Sequence, residues 1–190
     1  MNATDILSAG DSRALPARAG RYRFPAVVLH WTIALLVIAM LALGFYMVGI
    51  PRNTPDRGFY FNLHKSFGMI AFALIVVRAA WRVTHRPPPL PATLPAWEIQ
   101  AATWSHRLLY LCMILQPLTG YLGSSFNKYG VKVFGVKMPQ WAWEDASLRE
   151  ALAQVHSTVA WLFTILVVLH VAAGLKHMVS RNGVFQRMLG

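Results

Sequence analysis

The chain has 190 residues, of which 56% are hydrophobic and 13% are charged, and its mean hydropathy is +0.43. An average soluble domain carries about 25% charged residues, so this composition argues against a soluble domain and favours a membrane protein. The formal net charge is +11, and we expect the chain to contact membrane lipid and not nucleic acid.

Four apolar segments are each long enough to cross a bilayer as a helix, which takes about 20 residues. In chain order they span residues 25–48, 61–83, 103–126 and 152–179. Residues 1–22 are polar and lack the apolar core and cleavage site of a secretory signal, so we expect a disordered lead-in; residues 183–190 form a C-terminal tail. The sequence therefore predicts an all-α fold, in which residues 23–182 build one integral membrane four-helix bundle.

Two connections between the segments carry local signals. Residues 84–95 are rich in proline, which lacks an amide donor and disfavours helix in the preceding residue, so they predict an extended connector. The longest connection, residues 127–146, holds Trp141 and Trp143, which suit the membrane–water interface. Ser147 and Glu150 have the spacing of a capping box, so we expect the fourth helix to begin close to Ser147.

The distribution of Lys and Arg predicts the orientation of the chain in the membrane. If the N-terminus is cytoplasmic, the inner side of the segments carries more of the 18 basic residues than the outer side does. We therefore predict a multi-pass protein with both termini in the cytoplasm. The outer side nevertheless keeps a net positive charge, which is unusual.

The histidines are the residues in these segments with the most informative spacing. His156 and His170 are fourteen residues apart (170 − 156 = 14), close to four helical turns. Their rings therefore leave the helix on nearly the same face, about 21 Å apart along its axis. By depth, His64 matches His156 toward the outer side, and His30 matches His170 toward the inner side. His106 competes with His30 as the inner partner.

Paired neutral imidazoles suit a six-coordinate haem iron that transfers electrons without binding oxygen. A zinc site usually has four ligands in close tetrahedral array, and a proton pathway normally includes an acidic residue, which all four segments lack. The single cysteine, Cys112, excludes covalent attachment through a Cys-x-x-Cys-His motif. The sequence therefore predicts two non-covalent b-type haems with four iron ligands: His30, His64, His156 and His170. His85, beside the prolines, is most simply a solvated residue.

Other side chains near the two pairs have the chemistry to hold a haem. Gly68 lies four residues after His64 on the same helical face and leaves room for a flat macrocycle, although a glycine there equally suits helix packing. Haem propionates need cations or hydrogen-bond donors, which Lys65, Arg78 and Arg82 supply near the predicted layers. Positive-inside topology explains Arg82 equally well and Arg78 less well, because Arg78 lies deeper.

Many of these residues belong to a set that follows a fixed order along the chain. The set comprises Arg23, His30, Trp31, residues 62–68, residues 78–82, His106, residues 117–120, residues 134–139, His156, His170 and His177. This ordered set resembles the bacterial cytochrome b-561 family, and within it the branch of small stand-alone di-haem proteins that oxidise superoxide. The resemblance extends from about residue 21 to the C-terminus.

The resemblance implies an oxidoreductase of the bacterial inner membrane, a superoxide:ubiquinone oxidoreductase. Such a protein takes one electron from each of two periplasmic superoxide anions and passes both through two haems to ubiquinone, releasing oxygen. The outer cations would concentrate the anion; they are Arg52, Arg57, Lys65, Lys128, Lys132 and Lys137. His177 lies seven residues past His170, about 10 Å further along the same face, and would supply protons to the quinone, with His106 as the second choice. Lys65 and His177 are therefore the predicted catalytic residues.

Two other functions are compatible with parts of this pattern. A cytochrome b electron-transfer or anchor subunit, which links a periplasmic dehydrogenase or hydrogenase to the quinone pool, would use the same fold and haems. Such a subunit should present an apolar patch to a protein redox partner. A superoxide oxidase needs only a small cationic funnel, and the lysine-bearing outer loop favours the oxidase. A metal or solute carrier would need broken helices and midplane charges, and neither is evident.

Overall fold

The computed structural model describes residues 21–89 and 94–189, and most of these residues are helical. The predicted lead-in, except for its last two residues, and the middle of the proline-rich connector lie outside the described residues. The four long helices are α1 (Phe24–Val48), α2 (Pro55–Thr84), α3 (Ala96–Ser125) and α4 (Ala146–Val179). A short antiparallel hairpin, β1 (Lys132–Val133) and β2 (Val136–Lys137), was not predicted and lies between α3 and α4.

Three of the helices, α1, α2 and α4, are long and apolar enough to cross a membrane. These three apolar helices indicate a membrane protein, as the composition predicted. Helix α3 has 30 residues, as many as α2, but it lies outside this apolar set. Gln116, Pro117 and Thr119 interrupt its apolar sequence, so a fourth membrane span in α3 stays a prediction.

Helices α2, α3 and α4 begin six or seven residues before the apolar segments, because the helical hydrogen-bonding continues into polar sequence (61 − 55 = 6, 103 − 96 = 7, 152 − 146 = 6). The start of α4 corrects the predicted cap. The carboxylate of Asp145, not the hydroxyl of Ser147, caps this helix by accepting from the amides of Ser147 and Leu148, at 2.9 and 3.0 Å. These bonds, first that from Leu148, hold the pKa of Asp145 below its ordinary value, so the cap is ionised at neutral pH.

The interior of the molecule is an apolar cluster to which all four helices contribute. Its buried members are Ile33, Val37, Ala71, Ile75, Leu109, Cys112 and Phe163. Along the sequence of α4, Phe163 lies midway between His156 and His170, and the buried residues of α2 lie between His64 and Arg78. Large apolar side chains such as Leu35 and Val168 are more than half exposed on the outside, which suits contact with lipid.

The segment after α4 folds back onto α1 and onto the residues that follow α2. The indole nitrogen of Trp31 donates to the carbonyl of Met188 at 2.8 Å, and the buried guanidinium of Arg187 donates to the carbonyl of Pro88 at 2.9 Å. A 3₁₀ turn, Gln186–Met188, shapes this contact. The C-terminal segment therefore contacts both the first half of α1 and the residues that follow α2.

Candidate functional site

Two histidines from α2 and α4 face each other at the end of these helices nearer the hairpin. The ring centroids of His64 and His156 are 6.2 Å apart, and the rings are nearly perpendicular. A metal ion held about 2 Å from one nitrogen of each ring would separate the centroids by about 6 Å. The pair therefore has the spacing of two ligands that would share one iron. We call it the outer pair.

The hydrogen bonds of His156 determine which of its nitrogens is available. Its Nδ1 lies 2.9 Å from the carbonyl oxygen of Gln116 and 3.1 Å from the hydroxyl of Thr119. Since a carbonyl oxygen only accepts, Nδ1 carries the proton of the neutral ring, and Nε2 keeps the lone pair that a metal needs. Such a bond to the second nitrogen is the usual way in which a ligating histidine is oriented.

Glycines lie against both rings of the outer pair. A Cβ atom at Gly120 would lie 3.0 Å from Cε1 of His156, and one at Gly44 would lie 3.2 Å from Cε1 of His64. Both distances are shorter than an ordinary contact between such atoms. A side chain at either glycine would therefore push the neighbouring ring back by a few tenths of an ångström.

A cavity opens between the rings of the outer pair, and Gly68, which was predicted to leave room for a macrocycle, is one of its lining residues. Its empty space, counting the open solvent at its mouth, is about 480 Å³. Two buried polar atoms there, Nδ1 of His64 and Oε1 of Gln116, find no hydrogen-bond partner within the described part of the chain. Such atoms usually signal a group that completes the site. The donor set, the glycines and the cavity together fit a haem.

At the end of the helices opposite the hairpin, three histidines lie close together, one more than a haem needs. We call this group the inner layer. The ring centroid of His170 lies 6.3 Å from that of His30 and 5.4 Å from that of His106. The first separation matches an iron between the two rings, whereas the second is almost one ångström shorter. Ring spacing therefore favours His30 as the partner of His170.

Proton placement favours His106 instead. Its Nδ1 lies 2.6 Å from the carbonyl oxygen of Ala102 and so donates, which leaves Nε2 free to bind a metal. Nδ1 of His30 lies 3.2 Å from Nη2 of Arg78, and because arginine only donates, this nitrogen accepts. The neutral His30 ring then carries its proton on Nε2, so it can bind iron through Nε2 only after Arg78 turns away.

The predicted propionate cations lie beside this inner layer. Arg78 is half-buried, and its Nε donates to the hydroxyl of Tyr110 at 3.1 Å. Arg82 is exposed, with its guanidinium 5.4 Å from the centre of the same tyrosine ring. Tyr110 therefore contacts both arginines. Its hydroxyl would still hold Arg78 if the other guanidinium nitrogens lost their present partners. His85 stacks on Trp81 with ring centroids 3.8 Å apart, outside this group.

The hairpin is attached to α2 directly beside the outer pair. Nζ of Lys65 donates to the carbonyl of Gly130 at 3.1 Å. The buried hydroxyl of Ser66 accepts from the amide of Phe134 at 2.9 Å. Lys132 and Lys137 are opposite each other in the hairpin register, and both are exposed. Two exposed cations therefore lie side by side in a hairpin that is fastened to the residues directly after His64.

Two predicted residues have roles that the sequence did not reveal. Arg57 was predicted as part of the cationic outer surface, but its Nη1 donates to the carbonyls of Val48 and Ile50, so it fastens the connection between α1 and α2. His177 lies in the last turn of α4, and its Nδ1 is 2.7 Å from the side-chain amide nitrogen of Asn182. Both of its ring nitrogens face polar side chains.

Sequence reasoning did not assign Gln116, Thr119, Gly44 and Gly120 to the site. The polar pair Gln116 and Thr119 in an otherwise apolar stretch was an available signal, since such residues in a membrane helix usually bond to a partner. The partner itself is 40 residues away in sequence. Among the described residues, no group of three or more His, Cys, Asp or Glu side chains has the arrangement that would hold a metal ion by itself.

Comparison with known proteins identifies the family of the chain. The family model described as prokaryotic cytochrome b561 matches residues 21–190. The chain is 34% identical over 181 residues to cytochrome b561 homolog 2 of Escherichia coli (strain K12), which covers 90% of this chain and 92% of that protein. It is 22% identical over 171 residues to cytochrome b561 homolog 1 of the same strain, which covers 89% and 97%. The matched residues 21–190 include all four helices.

Replacement of Gly120 tests the fit of the outer pair. In Gly120→Ala the added carbon would displace the His156 ring, and overpacking of this kind costs about 1–3 kcal/mol. We expect haem to dissociate about tenfold faster, since about 1.4 kcal/mol corresponds to a factor of ten. Transfer of haem to a scavenging apoprotein measures the rate. Gly174→Ala is the matched control, because nothing lies within 4 Å of its Cβ position; equal rates in both variants would contradict the fit.

Proposed function

The chain belongs to the prokaryotic cytochrome b561 family, and from this premise we propose that it is a four-helix bundle that binds two b-type haems. His64 and His156 would hold one haem, and His30 and His170 the other. The observation that carries the proposal is the spacing of these two ring pairs, 6.2 and 6.3 Å between centroids, on opposite ends of the shared helix α4. When bound, the two haems would supply one-electron carriers about 21 Å apart along α4.

The inner layer must rearrange for this assignment. Arg78 would turn away from His30, keep its bond to Tyr110, and offer its remaining donors to a propionate. His30 would then carry its proton on Nδ1 and hold the haem iron through Nε2. His106, held by Ala102, would form a wall of the site. The outer pair needs a smaller change. His156 already carries its proton on Nδ1, and only the side-chain amide of Gln116, whose Nε2 lies 3.4 Å from Nε2 of His156, would have to turn away.

We propose superoxide as the electron donor at the outer face. Two superoxide anions lose one electron each and leave as two oxygen molecules. Lys132 and Lys137 would attract the anion, and a focused positive field raises association rates by about 10- to 10³-fold. Lys65 and Ser66 hold the hairpin over the outer pair. A captured anion would therefore lie close to the outer haem and could transfer its electron without binding to the iron.

Ubiquinone is the proposed acceptor at the inner end. It takes the two electrons together with two protons and leaves as the quinol. His177 is the proposed proton donor, because it extends the histidine face of α4 about 10 Å past His170. We place the protein in the bacterial inner membrane with both termini in the cytoplasm, which puts the cationic hairpin in the periplasm.

A second function is an electron-transfer subunit for a periplasmic protein donor. The loop between α3 and α4 supports it, because four aromatic side chains there are more than half exposed: Tyr129, Phe134, Trp141 and Trp143. Such a surface would suit a protein partner, although Trp and Tyr also suit the headgroup level. The two functions share the haems and differ only in what delivers the electrons.

Stopped-flow mixing of the oxidised protein with superoxide separates these functions. We expect rapid haem reduction, followed by reoxidation when ubiquinone is added. The charge reversals Lys132→Glu and Lys137→Glu together should slow the reduction at least tenfold at low salt, with a smaller loss at high salt. Arg86→Glu, an exposed charge reversal on the inner connector, is the control. Failure of the wild-type protein to be reduced would favour the protein-donor function.

Single histidine replacements test the two haem sites. Each His→Ala change at positions 30, 64, 156 and 170 should lower the haem content from about two per chain to about one, because a single remaining imidazole holds iron weakly. His85→Ala should keep both haems. The pyridine haemochrome spectrum of the purified protein gives the count. If His106→Ala loses haem and His30→Ala keeps its full content, then His106, and not His30, is the inner ligand.

A further inference from the structure

Four polar side chains meet at the inner ends of α3 and α4, outside both histidine layers. Glu98 stands in the first turn of α3, and one of its oxygens lies 2.6 Å from Nζ of Lys176. Its other oxygen lies 3.8 Å from Nε2 of His177. The side chains of Glu98 and His177 are only 13% and 15% exposed. Asn182, in the segment after α4, contacts the opposite edge of the His177 ring.

The hydrogen bonds of Asn182 fix the proton of His177. The amide of Val184 donates to Oδ1 of Asn182 at 3.3 Å, so Nδ2 is the atom that faces the histidine. Because this NH₂ group only donates, Nδ1 of His177 accepts its bond at 2.7 Å. The neutral ring therefore carries its proton on Nε2, the nitrogen that faces Glu98. Nδ1 of the neutral ring keeps its lone pair, and the carboxylate lies beside the opposite nitrogen.

Glu98 is itself held in place. Lys176 occupies one carboxylate oxygen and leaves the other directed at His177. The first turn of α3 also favours a negative charge, because the helix dipole is positive there. Lys176 is half exposed, and its ammonium lies 5.3 Å from the centre of the Trp97 ring. The carboxylate is thus positioned from two elements, and it is the negative group that faces the His177 ring.

We propose that Glu98 is the positioning residue that makes His177 a proton donor to the quinone, an inference that rests on the proposed function. Protonation at Nδ1 displaces the amide of Asn182 and forms an imidazolium, whose charge Glu98 stabilises. Nδ1–H then gives its proton to a quinone oxygen as the electron arrives, and the ring returns to its Nε2–H form. Two such cycles supply two protons for the two electrons that make one quinol, and water on the inner side restores each proton.

The test compares two oxidants of the prereduced haem protein. A soluble ubiquinone analogue needs protons, whereas ferricyanide accepts one electron and no proton. In Glu98→Gln we expect reoxidation by the quinone to slow at least tenfold, since positioned acid–base groups contribute about 10²–10⁴-fold. Reoxidation by ferricyanide and the haem spectrum should be unchanged, and Glu98→Asp should recover part of the quinone rate. Glu144→Gln, an exposed carboxylate outside the cluster, is the control.

The ¹⁵N spectrum of labelled histidines in the reduced protein gives a readout independent of turnover. His177, assigned by its loss in His177→Gln, should show its proton on Nε2, and Asn182→Leu should weaken this preference. A proton on Nδ1, an unchanged quinone rate in Glu98→Gln, or equal slowing with both oxidants would overturn the role of Glu98. If the wild-type protein is reoxidised by ferricyanide but not by the quinone, the proposed function fails, whatever tautomer the spectrum shows.

Discussion

The spacing of two histidines on one helix determines how the rest of the molecule is arranged. His156 and His170 leave α4 on nearly the same face, about four turns apart, so each neighbouring helix needs only one histidine at the matching depth. Helix α2 supplies His64 at one level, and α1 supplies His30 at the other. The buried cluster between the levels, which includes Phe163 of α4, keeps the two polar layers apart.

The two layers are prepared for a ligand to different degrees. In the outer layer, Gln116 and Thr119 set the proton of His156, and glycines fit closely against both rings. In the inner layer, Arg78 donates to the nitrogen of His30 that would carry the proton in an iron complex. A preorganised site loses less free energy on binding than one that must rearrange. We therefore expect the outer haem to be bound first when haem is limiting.

Much of this arrangement could be predicted from the sequence because it depends on spacing within one helix or on composition. The family assignment, the membrane class and the mostly helical fold were predicted and are confirmed. The matching depths along the sequence also pointed to the histidines that lie close together in the structure, although His30 and His106 remained alternatives. The spacing of Ser147 and Glu150 predicted the start of α4 to within one residue but indicated Ser147 in place of Asp145 as the cap, since both have short side chains with hydrogen-bonding oxygens.

The remaining features depend on contacts between distant parts of the chain. The bond from His156 to Gln116 joins residues 40 apart, and the pair of Lys176 with Glu98 joins residues 78 apart. No local pattern encodes which of several polar residues will meet across two helices. The hairpin is a similar case, because its attachment requires the hydroxyl of Ser66, which is 68 residues from Phe134. Packing of the helices selects these partners after the helices have formed.

We propose that α4 carries one histidine ligand for each of two haem irons. An anomalous difference map from crystals of the haem-loaded protein, recorded at the iron absorption edge, tests this proposal most directly. We expect two iron peaks, one between His64 and His156 and one between His30 and His170, separated by about 21 Å along α4. A single iron peak, or two peaks of which neither lies beside a histidine of α4, would contradict it.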